Sequence, residues 1–86
     1  MDKVLNVDFH VTWTAPVFVQ IGNGIRERID GPEAALAALL HRWPSAIGKE
    51  FDLAKRRCSD AIIRHGSAEV ARSAFVDAAL TAKVFA

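Results

Sequence analysis

VFVQIGNGIRERI, residues 17–29, holds two short apolar-alternating runs separated by Gly22-Asn23-Gly24. Such a pattern spells a β-hairpin, and the loop length decides its register. A two-residue Asn-Gly loop would pair Ile21 with Arg26 and scatter the apolar residues over both faces. A three-residue loop with Gly24 left-handed at a bulge pairs Ile21 with Ile25 and Val17 with Ile29. Val17, Val19, Ile21, Ile25 and Ile29 then share one face, while Phe18, Gln20, Arg26 and Arg28 share the other. The second register is the expected one.

Upstream, Leu5, Val7, Phe9, Val11 and Trp13 alternate with Asn6, Asp8, His10 and Thr12, the signature of a half-buried strand. Thr14-Ala15-Pro16 interrupts it, since Pro16 cannot donate to a ladder. Downstream the period changes. Asp30-Gly31-Pro32 marks a helix start, with Pro32 at the first helical position and Glu33 favourable to the dipole. Leu36, Leu39, Leu40 and Trp43 follow at helical spacing, and Pro44 ends the helix.

A second helix is expected from Lys49 to about His65, burying Phe51, Ala54, Cys58, Ala61 and Ile62, with Gly66 as its stop. Ser67 should cap a third, reaching about Val84, with a buried stripe of Ala71, Ala74, Phe75, Ala78 and Ala82. Its small side chains let the second and third helices approach closely. The sum is an α+β fold, a small antiparallel sheet (the Val17–Ile29 hairpin plus the N-terminal strand) followed by three helices on one face. At 86 residues the chain forms one domain, residues 1–86.

Formal charge is +1, from 11 basic and 10 acidic residues, without the basic excess usual in nucleic-acid-binding domains. The single cysteine forms no internal disulfide and suits a reducing compartment. Residues 1–13 alternate rather than run apolar, so no secretory signal is expected. The longest apolar run, Ala34–Leu40, is far too short for a bilayer span. The expectation is a cytoplasmic protein with no membrane association.

The order of short motifs is distinctive. W-x-x-P-V begins at Trp13, G-x-G spans Gly22 and Gly24, and G-P-E-A runs from Gly31 to Ala34. R-W-P follows at Arg42–Pro44, A-x-x-x-C at Ala54–Cys58 and A-R-x-A-F-V-x-A-A at Ala71–Ala79. In this order and spacing, from Trp13 to about Val84, the chain resembles the bacterial domain-of-unknown-function family 982, small proteins of rhizobia and related alphaproteobacteria. The resemblance supports the fold and implies no activity, cofactor or catalytic residue.

His10, His41, His65 and Cys58 are scattered, with no C-x-x-C or H-x-x-x-H pair, so no metal site is expected. Cys58 falls on an apolar stripe, where a free thiol behaves as a small hydrophobe. His65 lies two helical turns from Cys58, about 10 Å, too far for a direct hydrogen bond. Gly22-Asn23-Gly24 leads into a strand, whereas phosphate-binding glycines lead into a helix N-terminus. No catalytic residue and no cofactor is therefore expected.

What remains is surface. Helix two carries five positive charges against Glu50, Asp52 and Asp60, with Lys55 and Arg56 facing solvent. Arg26 and Arg28 form a second basic pair beside Phe18, the mixture that single-stranded nucleic acid favours. Trp43 completes the Leu36–Leu39–Leu40 stripe and should anchor in the core. Trp13 closes a strand whose edge could pair with another chain. The expected interaction surface is Trp13, Phe18, Arg26, Arg28, Lys55 and Arg56. Its expected use is non-enzymatic protein–protein contact, with an unknown protein partner or with a second copy in a homodimer. Weak nucleic-acid binding through the arginines and helix two is the alternative.

Overall fold

The structure is a computed structural model and describes residues 11–44 and 46–86. The elements run β1 (Val17–Val19), β2 (Glu27–Ile29), α1 (Pro32–His41), α2 (Lys49–Ile63) and α3 (Ala68–Thr81). The strands pair antiparallel with Val17 opposite Ile29, Phe18 opposite Arg28 and Val19 opposite Glu27. That is the register of the longer loop, and it puts Val17, Val19 and Ile29 together in the core.

The turn itself differs from expectation. Gly22, not Gly24, takes the left-handed conformation, with φ of 66°. The Gly24 N–H donates to the Ile21 carbonyl at 3.3 Å, closing a four-residue turn in which Gly22 is the first central residue. Ladder pairing ends at Val19 and Glu27, so Ile25 is not held on the inner face and stands 89% exposed.

Of the expected N-terminal strand, residues 5–10 lie outside the described residues, and Val11–Trp13 are not in a strand. Trp13 makes one backbone bond there, donating to the Asp30 carbonyl at 2.7 Å. A side chain at Gly31 would fall on the Val11 carbonyl oxygen, so glycine is needed here for close approach of two backbones. The free side of β1 is flanked instead by the C-terminus. Gln20 N–H donates to Val84 O at 2.8 Å and Ala86 N–H to Phe18 O at 2.9 Å, with Val19 bridged to Phe85.

That return is possible because α3 ends at Thr81, three residues earlier than its apolar pattern implied. Lys83 adopts φ of 62°, its N–H donates to Leu80 O, and Val84 N–H reaches back to Ala79 O. This is the paired-bond helix stop usually built on glycine, here built on lysine. At the end of α2 the left-handed residue is His65 rather than Gly66. Gly66 has a different duty, since a Cβ there would press at 3.3 Å on the Asp60 carbonyl. Ser67 caps α3 as expected, its hydroxyl accepting from Val70 N–H at 3.1 Å.

The core centres on Phe75. Its ring lies 5.8 Å from Trp13 and 5.4 Å from Trp43, both tilted, so one fully buried phenyl joins the approach to β1, the end of α1 and the middle of α3. Around it α2 buries Phe51, Ala54, Cys58 and Ala61 and α3 buries Ala71, Ala74, Ala78 and Ala79. These alanines bring the two helices together in the most extensive helix contact of the fold. In α1, Leu39 is buried and Leu36 half-buried, and Trp43 just beyond the helix is buried, but Leu40 is 55% exposed. Leu40 points about 100° round the helix from Leu39, and α1 turns the face of Ala35, Ala38 and Leu39 inward.

Two polar ties cross this core at its margins. Arg72 Nε donates to the Ala15 carbonyl at 2.7 Å and fastens the Thr14–Pro16 loop to α3. Arg42 grips Glu27 with both terminal nitrogens, at 2.6 and 2.8 Å, and ties the end of α1 to β2.

Phe75→Ala and Trp43→Ala should each lower stability by about 3–5 kcal/mol, as large aromatic deletions in cores do. Urea titration followed by tryptophan fluorescence reads this, and an unchanged midpoint would contradict the cluster. Lys83→Gly should raise stability by about 0.5–1 kcal/mol, because glycine relieves the left-handed strain that a lysine Cβ carries. A lower midpoint would contradict that account of the helix stop.

Candidate functional site

The residues singled out from the sequence fall into three groups. Trp13 is a correction, since it is only 6% exposed and sits against Phe75 in the core rather than on an interaction surface. Among the described residues its indole N–H finds no hydrogen-bond acceptor. The alternation that placed Trp13 in an edge strand gave no sign that the chain turns inward there.

Phe18, Arg26 and Arg28 do come together on the sheet face turned away from the helices. The Arg26 guanidinium lies 4.4 Å from the centre of the half-buried Phe18 ring, a cation–π contact. Arg28 Nε donates to Asp30 Oδ1 at 2.6 Å. The ring and both arginines are thus engaged within the chain.

Lys55 and Arg56 lie on a separate surface, along α2, which packs on α1 and α3, whereas the sheet contacts α3 through β1. Lys55 Nζ sits 4.8 Å over the Phe51 ring, and Arg56 is exposed. The two basic pairs are therefore not assembled into one patch. Instead Lys55 and Arg56 join Leu36, Leu40, Asp52 and Ser59 around a shallow groove between α1 and α2. Arg56 and Asp52 also border a second open groove, with Lys49, Glu50, Leu53 and Asp77, on the α3 side. Both carry mixed charge beside aliphatic side chains.

A narrower cleft beneath Trp43, bounded by Ile47, Phe51, Ala78 and Ala82, encloses about 60 Å³. Ligand pockets generally run to several hundred Å³. The cleft is a packing gap.

Cys58 is fully buried, and burial pushes its thiol up to about 12 from an ordinary value of 9.0. A thiol held protonated and out of solvent is a poor nucleophile. His41 and His65 are both exposed, so neither shares the burial of Cys58. Among the described residues no group of three or more histidine, cysteine, aspartate or glutamate side chains could hold a metal ion. His10 lies outside them. No helix is long and apolar enough to cross a membrane among the described residues. The Arg42 guanidinium is raised above its usual value by the hydrogen bonds to Glu27, which marks a structural clasp.

The sequence reading missed Leu40, Leu53 and Ile63 as surface. The signal was available for two of them, because Leu53 and Ile63 are ten residues apart and fall on the outer stripe of α2.

The order of motifs from Trp13 onward, and the fold built from it, agree with one family. The protein of unknown function family DUF982 matches residues 15–86. The chain belongs to that family. No curated protein and no solved structure matches it. The DUF982 match begins just after Trp13 and takes in both strands, all three helices and the C-terminal return along β1.

The thiol makes stability depend on alkaline pH. Its folded value lies above its ordinary one of 9.0, so its contribution is fully present below that value. That contribution falls by about 1.4 kcal/mol per pH unit as the medium approaches pH 12. Cys58→Ala should flatten this alkaline arm in denaturation midpoints. A thiol reagent should label Cys58 only as fast as the fold opens. Rapid labelling of the native protein would contradict the burial.

Proposed function

We propose that the protein is a small non-enzymatic interaction module that works through protein–protein contact, including contact between two copies of itself. One observation carries the reading. Leu40 and Leu53 stand 55% and 39% exposed beside the grooves that flank α2, rimmed by Lys55, Arg56, Asp52 and Asp77. Aliphatic side chains ringed by both signs of charge suit a protein surface, where an apolar centre is sealed by a polar rim. The protonated Cys58 thiol supports the non-enzymatic side of the proposal, because it withdraws the one sulfur nucleophile.

The nucleic-acid reading draws less support. Stacking on a base needs a free aromatic face, and Arg26 already covers Phe18. Arg28 is paired with Asp30, and Lys55 and Arg56 sit on another surface.

Sedimentation equilibrium of the full chain should show a mass that rises above 9.4 kDa as concentration enters the high-micromolar range. A constant monomer mass would remove self-association. Titration with single-stranded and duplex oligonucleotides at low salt should leave the amide resonances of Phe18, Arg26 and Arg28 unmoved. Salt-sensitive shifts there would favour the alternative instead.

A further inference from the structure

The outer stripe of α2 is complementary to its own reverse. Leu53, Arg56, Asp60 and Ile63 are spaced three, four and three residues apart, so they share one side of the helix. Phe51, Ala54, Cys58 and Ala61 occupy the opposite side, facing the core. Leu53 and Ile63 are 39% and 73% exposed, Arg56 is exposed, and Asp60 is half-buried. Among the described residues Asp60 has one weak charged neighbour, Arg57 at 4.0 Å. The order is therefore aliphatic, positive, negative, aliphatic.

We propose that a second copy of this chain docks on that stripe, α2 against α2 antiparallel, about a two-fold axis level with Cys58. This rests on the interaction-module reading and names the partner and the register. Rotation about that axis sets Leu53 against Ile63 of the partner subunit and Arg56 against Asp60 of the partner subunit, and each pair occurs twice. A two-fold interface demands this self-complementarity.

Neighbouring registers are excluded by charge. A slip of one turn one way sets Arg56 against its own copy and Asp52 against Asp60 of the partner subunit. A slip the other way sets Asp60 against its own copy and Arg56 against Arg64 of the partner subunit. Parallel docking stacks every residue on its like. Such juxtapositions of like charge are how helix pairs reject wrong alignments.

The interface is small. Fifteen residues of α2 span roughly 22 Å, and the buried face falls below the roughly 800 Å² per partner of a standard stable complex. The dimer is accordingly weak and reversible. Its flanks are the α1 groove with Leu36 and Leu40 and the α3 groove with Asp77.

Charge exchange tests it on the full chain. Arg56→Glu and Asp60→Lys should each be monomeric at concentrations where the natural chain dimerises, with unchanged far-ultraviolet circular dichroism. Mixed one to one, the two variants should recover the dimer, because each then meets its opposite charge. Dimers from either variant alone, or a mixture that stays monomeric, would overturn the α2 interface. Asp60 lies close to Gly66, so a second measurement avoids it. Leu53→Cys with Ile63→Cys in one chain should form a covalent dimer in a glutathione redox buffer, and its absence would overturn the register. A natural chain that is monomeric throughout would end the self-association reading as well. A natural dimer indifferent to all these changes would end only the helix assignment.

Discussion

Phe75 has no exposed surface and touches two tryptophans, one from the approach to β1 and one from the end of α1. Everything else in the fold is arranged around that contact. Trp13 and Trp43 are thirty residues apart and belong to segments that share no ladder. Their common ring is what holds the sheet side of the domain to the first helix. The helix bearing Phe75 is otherwise lined with alanine, so it adds little volume of its own. That economy lets α2 come close, and α2 in turn completes the burial with Phe51 and Cys58. A domain of this size buries a modest share of its surface, which makes one shared aromatic cluster a large part of its stability.

Arginine does the fastening at the margins. Arg72 holds the loop before β1 through carbonyl oxygens, and Arg42 holds β2 through the Glu27 carboxylate. Both side chains span elements distant in sequence, and both use the planar guanidinium to make two bonds at once. Their charge is consumed in structure. Arg26 over Phe18 and Arg28 against Asp30 extend the same economy to the outer sheet face. Basic residues still open to a partner are thereby concentrated on α2, where Arg56 lies between acidic neighbours.

Period and punctuation made most of the fold legible. The two-residue alternation of Val17–Val19, the hydroxyl at Ser67 and the proline at Pro32 act locally, and local rules sufficed for them. The Val17–Ile29 register was also readable, because a slip would have turned valines to solvent. Legibility failed where a residue's role is set by what approaches from elsewhere. Trp13 continues an alternating run yet turns inward to Phe75. Leu40 completes a helical stripe yet faces water, because α1 is rotated to bury Ala35 and Ala38. Ile25 matches the inner face of the hairpin yet lies beyond the last ladder pair.

The sequence by itself determined the α+β order of elements, the hairpin register, the cap of α3 and the core stripes of α2 and α3, except that Ile62 and Ala82, expected in those stripes, are only half-buried. Each of these depends on contacts within a few residues or on burying one periodic face. Only the tertiary structure decided that Val84–Ala86 would flank β1, that Lys83 would carry a left-handed helix stop, and that Arg26 would close over Phe18. Only it separated the two basic pairs into different surfaces. Those outcomes turn on the rotation of whole helices and on which edges meet, and a one-dimensional pattern carries no record of either.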